Sequence, residues 1–162
     1  LSRPTETAQI ILEAHPDVPL TQIDGLVEIG HGLWEGKLES EIRDGWSELL
    51  DTWKHAPETV QMPEGETIQD VWARSVRSWG EIAGALKPEE TVLVVAHDAV
   101  NKTILCDLLG LTPADIWAVK QGNGGVTVVD IATDPGQPAV VTCLNLTSHF
   151  GSVIDRTAAG AL

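Results

Sequence analysis

The sequence is poor in basic residues. Ten lysines and arginines stand against 24 aspartates and glutamates, so the 162 residues carry a formal net charge of −14. This balance argues against nucleic acid or an anionic membrane as a partner, because both would be repelled. It also repels a phosphorylated substrate at long range. An anion site in this chain therefore has to work locally, through a few placed arginine, histidine and backbone N–H groups.

Cysteines and long apolar runs are scarce too. Cys106 and Cys143 lie far apart, with neither disulfide-framework nor zinc spacing, and both fall in apolar segments, which predicts small buried residues. No apolar run reaches the roughly 18 residues of a membrane span, and no signal-peptide pattern opens the sequence. We therefore expect one cytoplasmic α/β domain.

The stretch from 91 to 111 joins a strand pattern to a helix pattern. An unbroken valine and leucine run before His97 predicts a strand buried on both faces, as in parallel sheets. Apolar residues then recur at helical spacing from Val100 to Leu111. His97 is thus expected where a central strand ends and a helix begins, a place that favours ligands and anions. A purely structural histidine is the alternative.

The remaining pattern predicts further helices and a hairpin. Helices are expected over residues 3–14, 46–53, 67–86 and 113–117, with Ser2 and Thr67 as N-caps, and strands over 126–131 and 140–146. Tryptophans at helical spacing are interpreted as core. The fold class predicted is α/β, with three layers and a mostly parallel central sheet flanked by helices.

A glycine-rich loop follows the first helix. Gly30, Gly32 and Gly36 exclude a regular helix or strand and permit close backbone approach. The loop holds Glu28 and His31 beside apolar anchors, which favours the presentation of polar groups into a site over a plain surface loop. Arginine and imidazolium suit a tetrahedral oxyanion, and a carboxyl group beside them suits a general acid.

Four short segments carry motifs in a recognisable order. They read Leu-Ser-Arg-Pro-Thr-Glu-Thr-Ala at 1–8, Leu-x-Glu-Ile-x-x-Gly-x-Trp-Glu-Gly at 26–36, Pro-Glu-Gly-Glu-Thr at 63–67 and Val-Val-Ala-His at 94–97. In this order and spacing they resemble the histidine phosphatase superfamily, phosphoglycerate mutase-like branch. The resemblance covers residues 1 to about 110.

The resemblance implies roles for individual residues. Arg3 would bind the phosphoryl group, Glu28 would donate a proton and His97 would stabilise the transferring phosphoryl. The residues expected beside the phosphate are Ser2, Glu66 and Asp98. Asp98 stands where the family often has glycine or asparagine, and its carboxylate would oppose an anion unless it points away or caps the helix. Glu66 could instead serve only the dipole of the next helix.

The family's arginine-histidine-glycine motif, which carries the phosphorylated histidine, is absent from the sequence. We expect residues 1–148 to be a domain that is incomplete at its amino end, with the first strand missing from this chain, and residues 149–162 to be a tail. This chain alone is expected to have no phosphatase turnover. Partners expected are a small phosphorylated metabolite and either a second copy or a tandem amino-terminal domain.

The activity implied is hydrolysis of a small phosphomonoester through a phosphohistidine, without metal or cofactor. Only 26 residues separate Gly36 from Pro63, whereas the mutases have a longer insertion there, so mutase activity is the second choice. A catalytically dead structural or regulatory module is a third. A metal hydrolase built from His31, His97 and Asp98 is disfavoured, because no ligand pair has helical i, i+4 spacing.

Overall fold

The computed structural model describes residues 2–132 and 136–151, and these contain four α-helices and one hairpin. The helices are α1 (Arg3–Leu12), α2 (Glu39–His55), α3 (Ile68–Ala85) and α4 (Asp98–Leu108). The strands are β1 (Val126–Asp130) and β2 (Val140–Leu146). Short 3-10 turns lie at Asp24–Leu26, Gly32–Trp34, Pro57–Thr59, Pro113–Ala118 and Ser148–Phe150. The predicted tail falls largely on residues 152–162, outside the described residues.

Helix α3 begins where its predicted N-cap places it, and α4 ends at a glycine. The Thr67 hydroxyl accepts a hydrogen bond from the Asp70 N–H at 3.1 Å, and the Asp70 carboxylate accepts one from the Thr67 N–H at 2.9 Å, which closes a capping box before α3. Beyond α4, Gly110 adopts a φ of 70°, and the Leu111 N–H returns to the Cys106 carbonyl.

The amino-terminal helix differs from its prediction. It ends at Leu12 rather than near residue 14, and the predicted cap by the Ser2 side chain is wrong. Ser2 has helical backbone angles, φ −78° and ψ −23°, and its side chain makes no capping hydrogen bond. A capping side chain needs an extended backbone at this position to reach the free N–H groups.

The core lies between α2, α3, α4 and the glycine-rich loop. Fully buried side chains include Ile42, Leu50, Trp53, Ile68 and Val100. The predicted role of the helical tryptophans in the core is confirmed, because Trp53 is buried and Trp46, Trp72 and Trp79 pack partly buried against the core. Trp53 also meets Trp117 edge to face at 5.4 Å between ring centroids.

The cysteines differ from each other in burial. Cys106 is buried as predicted, and burial, assisted by the charge of Asp115, raises its thiol pKa to about 11. Cys143 is only half-buried, since it lies on a strand of the hairpin.

The sheet within residues 2–132 and 136–151 is two-stranded and antiparallel. β1 and β2 pair from Val126 opposite Leu146 to Asp130 opposite Val140, with irregularities between, so the predicted hairpin is confirmed. No parallel pair occurs in this part of the chain. The strand predicted before His97 is wrong for this chain, because no neighbouring strand supplies ladder hydrogen bonds to residues 91–97.

A groove of about 590 Å³ runs along this unpaired segment. Its walls are residues 92–97, the segment from Pro19 to Glu28, the carboxyl end of α3 and part of α1. Val92 and Leu93 in its wall are 44% and 61% exposed. The groove is therefore lined mostly by apolar side chains, of the kind that a buried strand would normally hide. None of the helices in the described ranges combines the length and apolar character that a bilayer crossing needs.

Candidate active site

His97 occupies the N-cap position of α4, as the sequence predicts. Its backbone is extended, with φ −96° and ψ 175°, and its side chain is 11% exposed. Nδ1 lies 4.0 Å from Oε2 of Glu28. Nε2 is buried and has no hydrogen-bond partner among the described residues. The imidazole is thus held at a helix amino terminus with one nitrogen left for a ligand.

Glu28 faces His97 from the glycine-rich loop. Its side chain is 12% exposed, and Oε1 accepts a hydrogen bond from the N–H of Ile29 at 2.9 Å. At 4.0 Å the Glu28–His97 contact is electrostatic rather than a hydrogen bond. A carboxyl group and an imidazole that are this close can act together on one small anionic substrate.

Burial lowers the pKa of His97, the Glu28 carboxylate raises it, and the positive charge of Arg3 lowers it. The net direction is downward, so the imidazole is neutral over more of the physiological pH range than an ordinary histidine. A bound phosphate dianion would act in the opposite direction and favour the imidazolium.

Arg3 is the first residue of α1 and is exposed, as is Ser2 before it. Its neighbours Pro4 and Thr5 line the same groove as Glu28 and His97. Glu28 and His97 both line the groove, and Arg3 is near enough for its charge to act on the imidazole of His97.

Glu66 lies behind the glycine-rich loop. Oε2 accepts hydrogen bonds from the N–H of Gly30 and from Arg74, each at 2.9 Å, and Oε1 accepts one from Nε of Arg74 at 2.9 Å. Burial raises the pKa of Glu66, but Arg74 and the Gly30 N–H together lower it by more, so the net shift is downward. Its contacts are therefore with the loop that carries Glu28, and its part in phosphate binding stays a prediction.

Asp98 forms an ion pair with Lys102 one turn along α4, at 2.8 Å. Lys102 is buried, and its ammonium lies 4.7 Å from the centre of the Trp117 ring. The pair lines a water-sized cavity of about 20 Å³ that Glu28 and His31 also line. Pairing with Lys102 offsets the repulsion that the Asp98 carboxylate would exert on an anion.

Sequence reasoning missed Arg74 and Lys102. Lys102 stands four residues after Asp98, a helical ion-pair spacing that could have identified it. Arg74 has no local signal, because its partners lie up to 49 residues away.

A metal hydrolase, the disfavoured alternative, would need His31, His97 and Asp98 to gather around one ion. In the ranges that the structure describes, no three histidine, cysteine, aspartate or glutamate side chains gather where a metal ion could be held.

Comparison with known proteins identifies relatives. Phosphoserine phosphatase 1 of Hydrogenobacter thermophilus is 29% identical over 151 residues, which are 93% of this chain and 69% of that protein. The 2,3-bisphosphoglycerate-dependent phosphoglycerate mutase 2 of Gloeobacter violaceus is 34% identical over 125 residues, 74% of this chain and 56% of that one. The chain spans only 29% of the length of the 2-carboxy-D-arabinitol-1-phosphatase of Triticum aestivum, to which it is 29% identical.

The fold agrees with these relatives. The solved structure of Bacillus stearothermophilus YhfR has a TM-score of 0.77 and 30% identity to this chain, covering 86% of this chain and 67% of that one. The model of the histidine phosphatase superfamily (branch 1) matches residues 1–145. The α/β chain with its Glu28–His97 pair therefore belongs to the histidine phosphatase superfamily, branch 1.

Proposed function

We propose that this chain is the larger part of a phosphomonoesterase that hydrolyses a small phosphorylated metabolite through a phosphohistidine. The supporting observation is the Glu28 carboxyl group 4.0 Å from the imidazole of His97, in a groove that both residues line, with the charge of Arg3 acting on His97. The names of the relatives, phosphatases and a phosphoglycerate mutase, agree with this chemistry.

In the proposed reaction the substrate phosphoryl group lies between Arg3 and His97. A histidine outside this chain attacks phosphorus, so that a P–N bond forms and the bond to the leaving oxygen breaks. Glu28 gives its proton to that oxygen, and His97 stabilises the charge on the transferring group. Water then breaks the P–N bond, its proton returns to Glu28, and phosphate leaves. Ser2 binds the phosphate next to Arg3. Glu66 and Asp98 contribute indirectly to the phosphate site, Glu66 through its ion pair with Arg74 and Asp98 through its ion pair with Lys102.

The nucleophile is proposed to arrive on a strand that fills the groove beside residues 92–97. The groove of about 590 Å³ is lined mostly by apolar residues, and the segment along its edge forms no backbone ladder with another strand among the described residues. A strand placed there would complete a mostly parallel sheet with helices on its faces, in three layers. A preceding segment of the same protein or a tandem amino-terminal domain would supply it.

The test compares this 162-residue chain with a longer protein in which the proposed nucleophile-bearing segment precedes it, assayed on an aryl phosphate with and without chelator. We expect no turnover from the chain and chelator-resistant turnover from the longer protein, abolished by His97→Ala and reduced about 10²-fold or more by Glu28→Gln. The amino-terminal sequence and intact mass of the natural protein identify the segment that carries the nucleophile. Chelator-resistant turnover by the 162-residue chain itself would contradict the proposal.

Two alternatives have their own outcomes in this assay. Transfer between positions of phosphoglycerate that depends on added 2,3-bisphosphoglycerate, faster than release of phosphate, would identify a mutase, the activity named for the Gloeobacter relative. A longer protein that neither turns over a phosphomonoester nor forms an acid-labile phosphohistidine would identify a structural or regulatory module.

A further inference from the structure

We infer that Arg74 is a positioning residue that, together with Glu66, fixes the glycine-rich loop so that Glu28 stands opposite His97. The inference deepens the proposed function and rests on it for the role of Glu28 as proton donor. Its basis is a set of contacts between α3 and the loop that the sequence motifs do not contain.

Arg74 binds the backbone of the loop at three carbonyl oxygens. Nη1 donates to Gly25 at 3.0 Å and also to Val27, and Nη2 donates to Glu28 at 3.2 Å. Residues 25–30 form no sheet ladder, so these carbonyl groups need donors from elsewhere. A planar guanidinium can satisfy three carbonyls and a carboxylate at once, which an ammonium cannot do in the same geometry.

Glu66 orients that guanidinium and holds the far end of the same loop. It pairs with Arg74 through both carboxylate oxygens, and the side chains are 22% and 32% exposed for Arg74 and Glu66. Oε2 also accepts from the N–H of Gly30, whose carbonyl in turn accepts from the N–H of Glu66 at 2.8 Å. The loop is thus bound on both sides of Glu28.

Close backbone packing leaves the loop little freedom to move. A Cβ at Gly65 would lie 2.5 Å from the Gly30 oxygen, and one at Gly32, whose φ is 56°, would lie 2.1 Å from the Pro63 oxygen. The segment that carries Glu66 therefore touches the loop without intervening side chains.

The Glu28 side chain does not hold its own position. Its carboxylate accepts a hydrogen bond from the next residue, Ile29, which moves with it, and its contact with His97 is 4.0 Å long. The placement of the carboxyl group therefore comes from the backbone, and the backbone is fixed by Arg74 and Glu66.

The experiment is a double-mutant cycle read on the imidazole of His97 by NMR titration of this chain. The charged side chains that act on His97 are Glu28, which raises its pKa, and Arg3, which lowers it. Glu28→Gln should lower the pKa of His97 when Arg74 is present. In the Arg74→Lys background, which keeps the charge and loses the planar fork, less than half of that drop should be left.

Arg77→Lys is the matched control, because Arg77 is exposed on the same helix and forms no hydrogen bond or ion pair with the loop among the described residues. In that background the effect of Glu28→Gln should keep its full size. Glu66→Gln provides a second route if Arg74→Lys does not fold: it retains an oxygen for the Gly30 N–H, loses the ion pair and should also weaken the coupling.

A Glu28 effect of undiminished size in folded Arg74→Lys or Glu66→Gln protein would overturn the inference. The readout needs no turnover, so it is independent of the proposed activity. If a longer protein with the added segment showed no phosphatase activity while Arg74→Lys still weakened the Glu28→Gln effect in this chain, the proposed function would fail and the role of Arg74 in placing Glu28 would stand. Phosphatase activity with coupling unaffected by Arg74 would do the reverse.

Discussion

Glu66 is a carboxylate whose ionisation is tied to folding. Burial raises its pKa, and the hydrogen bonds from Arg74 and the Gly30 N–H lower it by more, so the folded-state pKa lies below the ordinary value of 4.5. A carboxyl group with a lowered folded-state pKa stabilises the fold above its unfolded pKa, and this contribution is lost as the pH falls through the folded pKa.

We therefore predict that Glu66→Gln destabilises the chain by about 2 kcal/mol at pH 7, the size expected for hydrogen bonds to a charged group, and by progressively less below pH 4.5. Urea unfolding at pH 7, 5 and 3.5 measures the difference. Glu64→Gln is the control, since Glu64 is exposed next to the same loop. A loss of equal size at pH 3.5 and pH 7 would show that the carboxylate charge is not what matters.

Some site residues can be identified from sequence motifs, whereas the hydrogen-bond partners of others are set only by the folded chain. Arg3, Glu28 and His97 could be named from motifs; Glu28 and His97 line one groove, and the charge of Arg3 acts on His97. The contacts of Glu66 could not be named, because Arg74 and Gly30 reach it only when α3 packs on the loop. A sequence shows the residue type that a site needs, whereas hydrogen-bond partners of an irregular loop follow from tertiary packing.

At the scale of elements, α3 is both a core helix and the anchor of the glycine-rich loop, and one glycine within α3 differs from one that packs against it. Gly80 lies in its interior, where a Cβ would meet nothing within 4 Å. Gly25, in the 3-10 turn packed on α3, would place a Cβ 2.0 Å from Oγ of Ser78 and 2.9 Å from the Arg74 carbonyl oxygen.

The two alanine substitutions should have opposite signs. Gly80→Ala should stabilise the chain by about 0.5–1 kcal/mol, because alanine loses less backbone entropy in a helix. Gly25→Ala should destabilise it by about 1–3 kcal/mol through overpacking, and should displace the loop from Arg74. Thermal unfolding of the two variants beside the parent measures both effects. A stabilising Gly25→Ala would mean that the loop does not pack on α3 as described.

Elements with local signals were predictable, and those with distant partners were not. The capping box fixes the start of α3, and turn residues with alternating strands fix the hairpin. Residues 91–97 have the composition of a central strand, but a strand exists only when neighbours pair with it. The sequence pattern shows that this segment suits a place between two paired strands. The described residues supply no such neighbouring strands.

At the scale of the whole molecule, net charge and the open groove oppose each other. A charge of −14 keeps copies of the chain apart. The apolar groove and the unpaired edge at Val92 and Leu93 favour association with another strand. If a strand of the same protein occupies the groove, the apolar surface is covered without two highly negative copies having to associate.

This gives a prediction that distinguishes the chain from the longer protein. Leu93 is 61% exposed, so Leu93→Asp should change the stability of the 162-residue chain by less than about 0.5 kcal/mol, as for other surface substitutions. In a longer protein whose added strand covers Leu93, the same change buries an unpaired carboxylate and should cost about 2 kcal/mol or more.

Leu38→Asp is the control, because Leu38 is 69% exposed, lies outside the groove and precedes α2, where aspartate is a good N-cap. It should be neutral or slightly stabilising in both proteins. Urea unfolding of the two variants in the two proteins measures all four values. An equally small effect of Leu93→Asp in both would show that the strand does not enter the groove, and the nucleophile would then have to reach His97 from another direction.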